Sequence, residues 1–309
     1  VGHHLPHPAA LPLSPFRPRS HLELFGLDAG LLAGILAIDM GGYQLAGELS
    51  ASQEMVRYAG LVIAATLGCT ITFTIPVGMG MLKSGDRLLF SRGMLIGTGT
   101  LPVTMIVGGL LSGLSFLQIV LQSLPVLLFC FLLMFGIWRF PEQTVRAFTV
   151  FADVIRLLTT IGLIAGAFCY MTGFSLLPDL APLEDAMAVV SSIGIVLLGS
   201  LPTAELLQRV LKKPLSFIGR KTGMNDSSAA GLLMGIVSPV PAITMMEKMD
   251  ERGKIVNAAF LVSAASTIAA HMGFTFGTDP DFVVPLLVAK LAGGIAAVCA
   301  ALFFTKKSA

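Results

Sequence analysis

Ala230-Gly-Leu-Leu-Met-Gly-Ile-Val-Ser-Pro-Val-Pro-Ala-Ile-Thr244 decides how this chain must be built. It is apolar enough to enter lipid, yet Pro239 and Pro241 stand at its centre. Each proline removes an amide donor and clashes with the preceding turn, so one continuous helix cannot pass through. A backbone interrupted at that depth survives only where it is buried in protein or lines a cavity. Two hundred residues earlier the chain has Ala29-Gly-Leu-Leu-Ala-Gly-Ile35, which matches Ala230 to Ile236. The earlier run is also interrupted, by Asp39-Met-Gly-Gly42. Further on, Leu61-Val-Ile-Ala-Ala-Thr66 matches Leu261-Val-Ser-Ala-Ala-Ser266, and Phe73-Thr74 matches Phe274-Thr275. Three successive matches at nearly constant offset point to an internal repeat.

The whole composition agrees with lipid as the solvent. Of 309 residues, 55% are hydrophobic and 12% charged, with mean hydropathy +0.85. A water-soluble domain normally has about 25% charged residues, because its surface needs a polar coat. The net charge of +2, with no basic stripe, excludes a nucleic-acid partner. Cys69, Cys130, Cys169 and Cys299 all lie in apolar runs without metal-ligand spacing, and read as small core residues. Residues 1–25 are proline-rich and basic, lack the apolar stretch of a signal peptide, and read as a disordered leader outside the fold.

Spanning the hydrocarbon takes about 20 apolar residues. Nine segments qualify: Gly26–Leu49, Met55–Leu82, Leu88–Leu111, Phe116–Trp138, Phe151–Gly173, Ala186–Leu206, Ala229–Met246, Val256–Phe276 and Phe282–Phe304. Small residues at four-residue spacing (Gly30/Gly34, Gly93/Gly97, Gly109/Gly113, Gly162/Gly166, Gly231/Gly235) predict close helix contacts. Loops rich in Lys and Arg alternate with bare or acidic ones until Lys248/Arg252/Lys254, which breaks the pattern. The alternation is restored if the segment around Pro239 enters and leaves on one side. The expected fold is therefore an all-α polytopic membrane protein. It has about seven full transmembrane helices and two broken or re-entrant segments. Five crossings between those segments make the repeat an inverted one, the plan of secondary transporters. A transport domain over 26–309 divides into repeat one (about 26–112), linking helices (about 116–225) and repeat two (about 226–305). The symmetry also predicts further spans upstream of the first repeat.

Asp39 is the sharpest candidate for function. A carboxylate inside an apolar run is costly in lipid and faces a cavity or a partner; Gly41 and Gly42 let the backbone open there. It is read as counter-charge for a cation, or as a structural ion pair with Lys290, itself stranded in the last segment. Asn225, Asp226 and Ser227 open the second broken segment, either as a helix cap or as solute contacts. Ser238 and Thr244 flank the proline break. His271 lies within the eighth segment, as a core histidine or as a functional one. Among the motifs surveyed there is no phosphate loop, nucleophile elbow or paired-histidine zinc motif. The reading is a carrier, not an enzyme, with no cofactor and no metal.

Several stretches resemble the EutH-type ethanolamine-utilisation membrane proteins of bacteria. They are Ala37 to Ala46, Asn225 to Gly231, Met245 to Phe260, His271-Met-Gly-Phe274 and Val288-Ala-Lys-Leu-Ala-Gly-Gly294. The resemblance covers essentially everything after Gly26. It implies an inner-membrane, multi-pass permease or facilitator for ethanolamine, feeding catabolism by a cobalamin-dependent lyase in a microcompartment. Its partners would be the small-molecule substrate and the lipid bilayer; a homo-oligomer is an open alternative. The chain departs from the family's pattern at Ser238-Pro239, where an Asn pair is usual, and at Ala270, where an acidic residue is. Both departures remove polar groups near the proposed site, which leaves a related amino alcohol or amine as the alternative substrate. A Na⁺- or H⁺-coupled carrier of another solute and a non-transporting scaffold are the competing functions.

Overall fold

A computed structural model describes residues 26–36, 39–174 and 221–305, with scattered positions between 183 and 219. Among the described residues every regular element is helical. Four helices among those residues are long and apolar enough to cross a membrane: Gln53–Met81, Ser84–Ser112, Phe116–Arg139 and Pro280–Phe304. The fifth expected span lies in the helix Pro141–Thr172, whose apolar part is Leu157–Thr172. Most of the sixth, 186–206, falls outside the described residues, as do residues 1–25.

The core is assembled through glycines. Ser84–Ser112 packs against both Glu251–Ala264 and Val283–Phe304. A methyl added at Gly93 would lie 2.4 Å from the Ile255 carbonyl oxygen, and one at Gly97 2.4 Å from that of Ala259. Gly293 faces Thr104 and Ser263, whose hydroxyls are hydrogen-bonded at 3.0 Å. Backbones that approach this closely gain dispersion contacts, which drive helix association where lipid removes the hydrophobic effect. Of the predicted small-residue pairs, Gly30/Gly34, Gly93/Gly97 and Gly231/Gly235 all meet neighbours. The pair Gly109/Gly113 splits: Gly109 packs on Ile119 and Tyr58, while Gly113 ends its helix at φ +97°. Gly162 and Gly166 meet almost nothing, because their helix is largely exposed. Outward-facing Leu117, Leu128, Phe131 and Trp138 line Phe116–Arg139. Such a surface suits lipid and would be an association hazard in water.

Two segments fold back on themselves. The second runs through Asp226–Val237, breaks at extended Ser238, and returns through Pro239–Met245. Its two ends meet. The Asn225 amide donates to Asp250 Oδ1 at 2.8 Å, and Asn225 Nδ2 donates to the Lys248 carbonyl at 2.9 Å. The first runs through Leu31–Ile35, a 3₁₀ turn Asp39–Gly41, and Gly42–Leu49. Here Asp28 ties the ends: Oδ1 accepts from Gly30 and Oδ2 from Ala51, both at 2.8 Å. The two hairpins also use matching glycines against matching helices, Gly34 on Ile63 and Gly235 on Leu261.

The eighth segment is not the full span that its composition suggests. Glu251–Ala264 stops, five turn residues follow, and Ala270–Thr278 resumes. The cause lies in the neighbouring hairpin. In an unbroken helix the Gly235 carbonyl would accept from residue 239, but that is a proline without an N–H. The Ser266 amide fills the place at 3.1 Å, and Ile268 donates to the Ile236 carbonyl at 3.1 Å. Each break supplies what the other lacks, so neither leaves these backbone groups bare in lipid. Ser266 takes φ +55° to do so.

Candidate functional site

Asp39 stands at the tip of the first hairpin in a left-handed conformation, φ +52°. A short polar side chain tolerates that region better than a bulky one. Gly42 holds the returning arm in place, since a methyl there would sit 3.0 Å from Ala64 Cβ and 3.2 Å from the Ala33 carbonyl. The tip packs beside the long helix that begins at Gln53, whose stretch Tyr58–Gly68 is wound as a π-helix. Wider winding of this kind is frequent at functional sites.

Around Asp39 the chain gathers Cys69 and His271, with one donor atom from each lying within 4.8 Å of the others. His271 Nε2 is 3.3 Å from Asp39 Oδ1. Asp39 Oδ1 and His271 Nδ1 are buried and have no hydrogen-bond partner among the described residues. The histidine is 2% exposed, whereas the Asp39 side chain is 31% exposed, so the carboxylate opens outward while the imidazole closes its inner side. Cys69 lies near the middle of Gln53–Met81 and His271 just past the 265–269 turn, which places the cluster well inside the helical bundle.

Lys290 does not pair with Asp39. Its fully buried ammonium donates to the Ala65 carbonyl at 2.7 Å. The expected ion-pair alternative for Asp39 falls instead to His271, because the π-wound helix presents a carbonyl within reach of Lys290.

The remaining predicted residues divide by position. Ser238 is at the second tip, beside the carbonyls that hold the 265–269 turn. That turn leads directly into His271, so the two tips are linked through one short stretch of backbone. Gly41 is exposed and Gly42 buried. Asn225, Asp226 and Ser227 lie at the opposite end of the second hairpin, about 18 Å of helix away. Asn225 Oδ1 caps the helix by accepting from the Ser228 amide at 2.9 Å, and Ser228 Oγ donates to Asp250 Oδ1 at 2.6 Å. Burial opposes ionisation of Asp250, but the Asn225 and Gly253 amides and the Ser228 hydroxyl outweigh it and hold its pKa below the ordinary value. Thr244 is exposed and bonds back to the Val240 carbonyl. Cys69, read from the sequence as a core residue, is indeed buried, and nothing along the chain signals that it lies beside Asp39 and His271.

The bundle is closed by ion pairs at its ends. Arg57 binds Asp279 through Nε and one terminal nitrogen, at 2.6 and 3.0 Å. Lys254 meets Asp86 at 2.6 Å, and exposed Lys83 pairs with Glu247. A cleft of about 430 Å³ lies at the base of the first hairpin, beside Asp28 and Gln122, and not at Asp39.

Long apolar helices packed around interrupted ones define a multi-pass helical membrane protein. Residues 19–304 match the model of the EutH family, described as ethanolamine utilisation protein. The chain belongs to that family. It is 38% identical over 283 residues to the probable ethanolamine permease EutH of Listeria monocytogenes, covering 91% of this chain and 76% of that one. Similarity to the probable ethanolamine permease EutH of Escherichia coli is 34%, over 92% of this chain and 76% of the relative. The uncharacterized protein YxeR of Bacillus subtilis is 33% identical, over 88% and 73%. No solved structure matches the chain.

Proposed function

We propose that this protein carries ethanolamine, as its ammonium form, across the bacterial cytoplasmic membrane, and that Asp39 is the counter-charge that admits it. Membership of the family and relatives named as probable ethanolamine permeases support the substrate class. The observation that carries the mechanism is a partly open carboxylate inside the bundle, one oxygen of which lacks a hydrogen-bond partner. A cation in lipid needs a fixed opposite charge, and an ammonium has three donors to offer the open side of the carboxylate. The substrate hydroxyl can be met by Ser238, which the 265–269 turn and His271 link to Asp39. In this reading the two hairpins are inverted relatives, the eighth segment crosses as a broken helix beside six unbroken ones, and the solute passes between the tips as the surrounding helices rock. Asn225, Asp226, Ser227 and Thr244 belong to the hairpin base and frame the path rather than the tip.

Cells expressing the protein should take up labelled ethanolamine at acidic pH, where the neutral base scarcely leaks through lipid. Wild-type uptake by Asp39→Asn would sink the assignment. A second reading, a proton-coupled carrier, is favoured by the contact of His271 with Asp39, since both can exchange protons. Collapse of uptake by an uncoupler would select it over simple facilitation.

A further inference from the structure

We propose that Asp39, Cys69 and His271 form a binding site for a borderline-soft divalent metal ion of the zinc type. The three donors come from three separate parts of the chain: the first hairpin tip, the π-wound helix and the segment after the 265–269 turn. One carboxylate oxygen, one imidazole nitrogen and one sulfur all lie within 4.8 Å of one another, and His271 and Cys69 are buried. The Asp39–His271 separation of 3.3 Å is informative. It is short enough to cost desolvation of both groups, yet Asp39 Oδ1 makes no hydrogen bond. In a tetrahedral zinc site, bonds of about 2.0–2.1 Å to oxygen and nitrogen place those two donors roughly 3.3 Å apart. The spacing therefore fits two corners of a coordination tetrahedron as well as it fits an ion pair.

The donor set also selects among ions. Thiolate and imidazole favour zinc-like ions, whereas Na⁺, Mg²⁺ and Ca²⁺ prefer oxygen alone. Binding converts the Cys69 thiol to a thiolate, with the S–H bond broken, a metal–sulfur bond formed and the proton released to water. The bound ion and its ligands then sum to zero charge, two negative against two positive, so the filled site carries no net charge of its own. The Lys290 ammonium, held by Ala65 on the same long helix as Cys69, opposes the ion and limits its affinity.

The ion would occupy the carboxylate assigned above to the amine, and its effect on transport rests on that proposed function. Zinc-type ions should then block transport competitively. The test uses the full-length protein in detergent, titrated with Cd²⁺ while the thiolate-to-metal charge-transfer absorption is followed. Wild type should bind one ion per chain, with Zn²⁺ displacing Cd²⁺. Cys69→Ala should lose the band and His271→Ala should bind at least tenfold more weakly, while Cys299→Ala, at an exposed position, should match wild type. Thermal unfolding of each variant, with Cys69→Ser as the milder replacement, separates lost ligation from lost folding. A band that persists without Cys69, or no band in wild type, overturns the proposal. Uptake distinguishes the two ideas. Metal bound without inhibition of uptake leaves the site standing and removes Asp39 as the amine's counter-charge. No metal bound, with uptake still dependent on Asp39, does the reverse.

Discussion

The two hairpins solve one problem with different chemistry. Each turns the chain back inside an apolar bundle, and each is tied at its base by an aspartate, Asp28 in one and Asp250 in the other. At the tips they diverge. The second tip is made by Ser238 and Pro239, and the carbonyls stranded there are satisfied by a neighbouring break at 265–269. The first tip is made by a carboxylate at positive φ, beside a helix that stays continuous by widening into π geometry. Among the described residues each half thus contains one non-glycine residue in the left-handed region, Asp39 and Ser266. They differ in what they serve. Ser266 completes backbone hydrogen bonding, whereas Asp39 brings a charge that structure alone does not require. On the proposed function, the difference makes the first tip the chemical one and the second its support.

The largest expected effect breaks this assignment directly. Asp39→Asn keeps the size of the side chain and removes the charge. If the carboxylate holds the ammonium, about 3 kcal/mol of cation stabilisation is lost, roughly a hundredfold in transport efficiency. Uptake of labelled ethanolamine at acidic pH measures it. Equal uptake would make the two tips equivalent after all.

The matching glycines give the next comparison. At Gly34 a new methyl would lie 2.7 Å from Ile63 Cγ2 and 3.1 Å from its Cβ, with the Ala59 carbonyl behind. A β-branched side chain in a helix has little freedom to move aside. At Gly235 the nearest atom is Leu261 Cδ2 at 2.9 Å, the far end of a flexible chain. Gly34→Ala should therefore cost about 1–3 kcal/mol through overpacking. Gly235→Ala should be close to neutral, because alanine's helix propensity offsets the smaller strain by about 1 kcal/mol. Thermal unfolding in one detergent orders the pair. The opposite order would mean that the first hairpin is the more yielding one.

The clamps at the bases come third. Asp250→Ala removes a helix cap and the tie to Asn225, at about 1 kcal/mol or somewhat more. The folded protein holds the Asp250 pKa below its unfolded value. Its contribution to stability is therefore present above about pH 4 and is lost as pH falls through the depressed folded pKa. Unfolding midpoints measured from neutral to acidic pH should converge for wild type and Asp250→Ala. A constant gap would assign the loss to packing instead.

These contrasts were unevenly legible in the sequence. Pro239, Pro241 and the Asp39-Met-Gly-Gly run announce their breaks, because missing donors and permissive glycines act locally. Asn225 likewise announces a cap. The third break was hidden. Residues 264–270 contain neither proline nor glycine, and they turn because Pro239 leaves a carbonyl for Ser266 to meet. Cys69 was hidden for a related reason: Asp39 and His271, which lie beside it in space, come from distant parts of the chain, and its sequence neighbours Gly68 and Thr70 do not announce them. Lys290 was visible as a stranded charge, but its partner is a backbone carbonyl, and no residue type encodes that choice.

The smallest effect tests whether the supporting tip is only a support. Ser266 sits at φ +55°, a region that costs an L-residue roughly 1 kcal/mol and glycine nearly nothing. Ser266→Gly keeps the amide that donates to Gly235, so the link between the breaks persists. Relief of strain and the greater freedom of glycine in the unfolded chain oppose each other, which leaves a change of under about 1 kcal/mol, in the stabilising direction. Uptake should be unchanged, since no group that meets the cation is altered. Ser266→Val, by contrast, puts a β-branched side chain at positive φ and should lower the unfolding midpoint. If Ser266→Gly instead abolished uptake while the protein stayed folded, the serine hydroxyl would itself be part of the path. The chemistry would then be shared between the two tips rather than concentrated at Asp39.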